Sequence, residues 1–279
     1  MLAVALGLAA SVSWGIADFL GGLKSRTLEL LTVLLFSQGV GFLLIMLIVS
    51  VQGEPAPDGT HVLYACVSGV SGIVALAAFY RGLAVGAMTV VAPIAGMAAA
   101  LPVAVGLISG ERPAGLQAAG IVLAIAGVAL ASRERPAEGG PSRVAAGAGL
   151  ALLSALGFGG FFVAMDAASE TDVFWASFFN RATSLSILVA AALALRPRLT
   201  IGVREARVLV LIGVMDISAN ALFAAAFTEG LVSLVSVLAS LYPVVTVLLA
   251  RLVLGERVRR PQQAGVAAVL AGVALISAG

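Results

Sequence analysis

Charge is what this 279-residue chain has least of. Asp, Glu, Lys and Arg make up 11% of it, against about 25% in a soluble domain, while 61% of its residues are hydrophobic. A soluble fold cannot clothe itself with so few charges, so an integral membrane protein in a lipid bilayer is expected. Histidine and cysteine are scarcer still: His61 and Cys66 stand alone. One cysteine forms no intramolecular disulfide, and one His with one Cys makes no zinc site. The same shortage leaves no HExxH and no Ser–His arrangement, which a membrane-embedded lipid-modifying enzyme would need. A basic stripe with interleaved aromatics is absent too, which argues against nucleic acid as a partner.

What is present is a series of apolar runs, each of about 17–25 residues and so long enough to span a bilayer. The first half holds Leu2–Gly22, Leu28–Ser50, Val62–Gly82, Ala87–Ser109 and Ala114–Ser132. No basic stretch precedes Leu2–Gly22, and the chain repeats that unit later, so it reads as a retained membrane helix rather than a cleaved leader. A charged, Gly- and Pro-containing stretch follows at 133–144 and reads as the linker. The second half holds Ala145–Ala164, Val173–Leu195, Ala206–Phe227, Leu231–Leu254 and Gln262–Ser277. The expected fold is an all-α integral membrane protein of ten transmembrane helices, with repeats at 1–132 and 145–279.

The repeat is visible in the residues. Gly110 to Ser132 reads GERPAGLQAAGIVLAIAGVALAS, and Gly255 to Ser277 reads GERVRRPQQAGVAAVLAGVALIS. Gly110/Gly255, Glu111/Glu256, Arg112/Arg257, Gln117/Gln262 and Gly120/Gly265 match, as does the run Ala126–Leu130/Ala271–Leu275. Shared Glu, Arg and Gln separate this echo from the coincidences that Ala- and Gly-rich sequence produces. An odd number of spans per copy forces the copies into opposite orientations, the inverted-repeat logic that puts a transporter's substrate site near mid-membrane. Gly120 with Gly127, and Gly265 with Gly272, make small-residue faces where the copies are expected to meet.

The few charges are sorted. Lys24, Arg26, Arg81, Arg133, Arg135, Arg143, Arg196, Arg198, Arg204, Arg207, Arg257, Arg259 and Arg260 fall in odd-numbered connections. Even-numbered ones hold only Arg112, beside Glu54, Asp58, Glu111, Asp166, Glu170, Asp172 and Glu229. The bias places the odd connections in the cytoplasm and both termini outside.

Two five-helix copies, Trp14-Gly15 in the first span and Gly-Glu-Arg with downstream Gln and Gly after the fourth span of each copy resemble the ten-helix EamA-domain members of the drug/metabolite transporter superfamily. Ser240-Leu241-Tyr242-Pro243 through Gly255-Glu256-Arg257 is the most specific part of a likeness that covers nearly the whole chain. The resemblance implies a multi-pass cell-membrane transporter of a small metabolite or drug, often an exporter, with no bound cofactor. It also implies cytoplasmic termini, against the charge bias.

An ionisable residue inside a span costs about 2.5–3.5 kcal/mol at a helix centre, which makes each a candidate for function. Asp216 leads, with Asn220 one turn on along the same face and Phe223 and Phe227 beyond. It reads as a proton- or cation-binding carboxylate, or else as a structural acid paired or hydrogen-bonded between helices. Ser68 and Gly72 hold the matching places in the third span. Asp18, one turn after Trp14, is the companion acid, with Lys24 as an alternative partner near the interface. Small multidrug-resistance proteins, four-helix cousins, also carry an acid in their first helix. Arg181, after Asn180, either binds a substrate anion, pairs with Asp216 or snorkels, as Arg251 is expected to do. Ser233, Ser236 and Ser240, with Tyr242-Pro243 and Thr246, suggest that the ninth span is bent and cavity-lining, or that the serines bond back to their own helix. Pro93 and Pro102 suggest the same bend in the fourth.

The function expected is secondary transport of a small organic molecule by alternating access, either coupled to protons or by exchange. A non-transporting scaffold or sensor competes with it, and a lipid-modifying enzyme does so more weakly. Nothing in the sequence bears on oligomeric state. The charge bias can be tested directly. A reporter active only in the cytoplasm works when fused within residues 133–143 and is silent at Gly279; the reverse pattern restores the orientation usual for the resembled family.

Overall fold

A computed structural model describes residues 2–99, 101, 115–131, 143–197, 199, 201–229, 241–256 and 260–278. The first Gly-Glu-Arg, most of the linker, Pro102, Ser233, Ser236 and Ser240 lie outside the described residues. Among those described there are ten α-helices and no strand. They are α1 (Leu2–Lys24), α2 (Leu30–Gln52), α3 (Gly59–Val85), α4 (Met88–Ala95), α5 (Gly115–Ala131), α6 (Arg143–Ser169), α7 (Val173–Leu195), α8 (Val203–Glu229), α9 (Tyr242–Leu254) and α10 (Arg260–Ala278). Six of them, α1–α3 and α6–α8, are long and apolar enough to cross a membrane; the described parts of the other four are shorter.

Local chemistry sets several boundaries. Asp58 caps α3 by accepting from the amides of Thr60 and His61, both at 3.1 Å, and Asp172 caps α7 through Phe174 (2.7 Å) and Trp175 (2.9 Å). The bond from the His61 amide, helped by one from the His61 ring, holds the Asp58 carboxyl below the usual aspartate pKa. Pro93 lies inside α4, which tightens after Ala95 into a 3-10 turn over Gly96–Ala99. Pro243 occupies the first turn of α9 as described, where a missing amide proton costs least.

The helices pack in pairs that map onto one another when α1–α5 exchange with α6–α10. The α3–α6 contact answers α1–α8, α2–α8 answers α3–α7, and α1–α9 answers α4–α6. Three pairs, α2–α7, α4–α9 and α5–α10, map onto themselves, and all run antiparallel. Between α4 and α9, Thr89 meets Glu256 and Gly96 meets Pro243. Between α2 and α7, Gln38 meets Arg181, Phe42 meets Phe178 and the Glu54 carbonyl meets Trp175. Between α5 and α10, Gly127 lies against Gly265 and Val269, while Gly272 lies against Gly120 and Ala124. Self-paired helices can be antiparallel only if the two-fold axis crosses them, that is, in the membrane plane. The fold is two inverted five-helix repeats.

The charge sorting survives in three dimensions. One face carries the described Lys24, Arg26, Arg81, Arg196, Arg204 and Arg260, at or beside the ends of α1, α3, α7, α8 and α10. The opposite face carries the α2–α3 and α6–α7 connections, where His61 bonds Asp58 at 2.7 Å and approaches Glu170 at 3.8 Å. We call these the basic and acidic faces. The main apolar core lies toward the basic face, where Leu34, Phe79, Tyr80, Leu83, Met88, Leu209 and Ile212 are wholly buried. Toward the acidic face the described residues form only two small clusters, around Ala226 and around Ala65, Ala168 and Ala176.

The α5–α10 seam has no room for side chains. A Cβ on Gly127 would stand 2.7 Å from the Val269 amide nitrogen, and one on Gly272 2.6 Å from that of Ala124. Gly127→Ala and Gly272→Ala should each destabilise by about 1–3 kcal/mol through forced separation of the backbones. Gly149→Ala on α6, where a Cβ meets nothing, should stay within about 0.5 kcal/mol of the parent. Thermal unfolding in detergent separates the two classes.

Candidate functional site

The helices of both repeats enclose a cavity of about 120 Å³ halfway along their length. Repeat one supplies Trp14 and Asp18 from α1, Gln38 from α2, and Gly72, Ile73 and Leu76 from α3. Repeat two supplies Phe158, Phe161 and Phe162 from α6 and Asn180, Arg181 and Ser184 from α7. Asp216 and Asn220 of α8 and Tyr242 of α9 complete the wall.

Arg181 organises the polar side. Its Nη2 bonds Asp216 Oδ2 at 2.5 Å, and its Nη1 donates to the Gln38 side-chain oxygen. The Arg181 and Asp216 side chains are 13% and 23% exposed, so the pair is dry enough for each charge to need the other. A second polar chain runs beside it. Asn180 Nδ2 donates to Ser68 Oγ at 2.8 Å, Ser68 Oγ donates to the Ala65 carbonyl at 2.7 Å, and Ser184 Oγ to the Gly69 carbonyl at 2.9 Å. These bonds tie α3 to α7. Asn220 turns back on its own helix, donating to the Asp216 carbonyl at 2.7 Å.

Asp18 differs from Asp216. Among the described residues its carboxylate makes no hydrogen bond and no ion pair; Lys24, the partner considered for it, does not reach it. With both acids ionised, two negative charges and one positive line the cavity. The rest of the wall is aromatic. Trp14 packs between Phe223 (ring centroids 5.4 Å apart) and Tyr242 (6.3 Å), and Phe161 meets Phe162 edge-on at 5.4 Å.

Of the candidates read from the sequence, the structure brings Trp14, Asp18, Asn180, Arg181, Asp216, Asn220 and Tyr242 to one cavity. Ser240 lies outside the described residues. Arg251 is exposed on α9, and Thr246 bonds the Gly15 carbonyl at 3.2 Å instead of facing the cavity. Sequence reasoning passed over Gln38, Ser184 and the phenylalanines of α6. Gln38 is a neutral polar residue amid an apolar run, and the cost argument used for the acids would have found it. Phe158, Phe161 and Phe162 repeat at helical spacing and so share one face.

A family model describing the EamA-like transporter family matches residues 1–133 and again 145–278. The chain belongs to the EamA-like transporter family. It is accordingly a multi-pass membrane protein of a family of transporters rather than enzymes. No curated protein matches it in sequence. A solved crystal structure, titled only as that of a protein, aligns over 98% of this EamA-like chain and 95% of its own with a TM-score of 0.66. At 15% identity that likeness speaks for the fold alone.

If Arg181 and Asp216 compensate each other, removing either leaves the other uncompensated. Arg181→Ala and Asp216→Ala should each lower the unfolding temperature, and the double variant should lose less than their sum, with a coupling of about 1–3 kcal/mol. Strict additivity would mean that the pair carries no energy.

Proposed function

We propose that this EamA-like protein is a secondary active transporter that carries a small organic solute by alternating access, in the exporting direction that the resemblance implies. One observation above all supports this reading: a carboxylate, Asp18, that no described residue compensates, in an aromatic-lined cavity between two inverted repeats. The Asp216 charge is balanced by Arg181 within the protein. No described residue balances Asp18, so we read its compensation as coming from outside, as a proton or as a cationic group on the solute. Two ligands that compete for one carboxylate exchange for one another, which is the coupling that antiport requires.

The sequence placed Asp216 first as the proton carrier. The Arg181 pair moves that role to Asp18 and leaves Asp216 to hold Arg181, with Gln38 as its second support. A scaffold or sensor without transport has no use for an unpaired acid in a solute-sized cavity, and keeping one there costs stability. We place the protein in the cell membrane with its basic face toward the cytoplasm, following the bias of Lys and Arg.

Reconstitution tests the assignment. Asp18→Asn keeps the shape of the side chain, so the protein should fold and insert. It should, however, lose solute flux driven by a pH gradient in proteoliposomes. Asp216→Asn should chiefly lower stability, by leaving Arg181 without its counter-charge. Flux through Asp18→Asn at the parent rate, with the parent's pH dependence, would sink the assignment of Asp18.

A further inference from the structure

The Gly-Glu-Arg that ends α9 has no part in the cavity, yet its glutamate gathers polar contacts on the basic face. Gly255 takes a left-handed conformation (φ 63°), which glycine adopts without strain, and the Glu256 amide donates back to the Ala250 carbonyl at 3.3 Å. From this turn the Glu256 side chain reaches into the other repeat. Oε2 accepts from the Thr89 amide at 3.1 Å and from its hydroxyl at 3.2 Å, in the first turn of α4, where a helix favours negative charge. Oε1 pairs with Arg26 Nη2 at 3.1 Å, and the same nitrogen donates to the Leu83 carbonyl at 3.1 Å. One carboxylate thus joins the end of α9 in repeat two to the α1–α2 connection, the end of α3 and the start of α4 in repeat one. Glu256 is 16% exposed and Arg26 29%, so these are charge-assisted bonds in a partly dry setting rather than a solvated pair.

A continuous stack leads from this cluster to the cavity. Leu83 is fully buried, its side chain pressed on Gly22 while its carbonyl sits in the cluster. One turn deeper the Tyr80 ring lies on Gly21, one turn of α1 from the cavity residue Asp18. A Cβ at either glycine would overlap these side chains. Cavity floor, apolar plug and polar cluster follow one another in a column.

We infer that Glu256, Arg26 and Thr89 form a latch that holds the basic-face gate closed, and that the latch parts for solute to pass between the cavity and that face. Its contacts cross from one repeat to the other, so a movement of one repeat against the other breaks them together, as a two-state element requires. The motif that announces the repeat in the sequence is, in its second copy, a gate residue. The inference rests on the alternating-access reading, but its first test needs no solute.

The test uses a Cys66→Ala background carrying Leu83→Cys. A membrane-impermeant maleimide applied to the basic face should label the introduced thiol slowly. Glu256→Gln or Arg26→Gln should speed labelling about tenfold, the effect of losing one charged hydrogen bond. Because both act on one latch, the double variant should label little faster than either single one. Labelling unchanged in both single variants would overturn the latch, whatever solute flux shows.

General loosening of the fold is separated by a converse experiment. Arg26→Cys with Glu256→Cys is bridged by a reducible bis-methanethiosulfonate, since a direct disulfide cannot span two such long side chains. Bridging should return Leu83→Cys labelling to the slow parent rate, and reduction should raise it again. In proteoliposomes the bridge should stop flux reversibly. Bridged protein that labels or transports like reduced protein would overturn the latch. Flux absent from the parent, with labelling still responsive to Glu256, would instead count against the transporter reading and leave the gate standing.

Discussion

In a bilayer a charge has to be compensated where it stands, because no water arrives to do it. The placement of nearly every ionisable group in this protein follows from that constraint. Among the described residues most Lys and Arg gather at one face, and Glu54, Asp58, Asp166, Glu170 and Asp172 at the other. Within the span, Arg181 and Asp216 neutralise each other, and Gln38 takes the guanidinium's remaining donor. Arg26 and Glu256 do the same nearer the basic face. Among the described residues Asp18 is the exception, which is why the proposed exchangeable ligand is put there.

The inverted repeats set out this arrangement and then depart from it. The α5–α10 seam keeps the two-fold relation almost atom for atom, with glycine against glycine on both sides of the axis. Backbones this close leave no freedom for substitution, so the copies stay alike there. The centre tolerates difference and uses it. Gly72 of α3 stands where α8 carries Asp216, and Gln38 of α2 where α7 carries Arg181: Gly69 lies on Asn180 and Thr183 as Gly213 lies on Ser37 and Val40. One copy presents the charges and the other a glycine and a neutral amide, which gives a single ion pair instead of four ionic groups crowded on the axis.

What could be read from the sequence divides along physical lines. Helices, repeat and inversion were legible because the bilayer demands long apolar runs, and an odd count of them admits one orientation. The acids and Arg181 were legible because charge in a span is costly enough to notice one residue at a time. Gln38 left a fainter mark of the same kind, whereas the α6 phenylalanines cost nothing in an apolar run and left none. Pairings were not legible at all. Nothing in the run that holds Arg181 says whether its guanidinium turns to Asp216, to the interface or to a solute, since that depends on how α7 and α8 rotate against each other. The Glu256 contacts were hidden for the same reason. A Gly-Glu-Arg after a helix reads as a turn, and only packing shows the glutamate reaching α4 of the other repeat.

The way the basic face is sealed bears on how such a protein moves. A transporter has to keep its states within a few kcal/mol of each other, or one of them is never visited. Burying large side chains against large side chains would make a seal too costly to open, since each fully buried apolar side chain contributes about 1.5–3 kcal/mol. Here Tyr80 and Leu83 lie on Gly21 and Gly22, and a glycine brings no side-chain area of its own to the contact. The plug fits closely and yet holds modestly. A seal of that kind excludes water without locking the gate, and this leaves the balance between states to a few polar bonds. Glu256 supplies them at the basic face, through bonds to Arg26 and Thr89 that can part without exposing a large apolar surface.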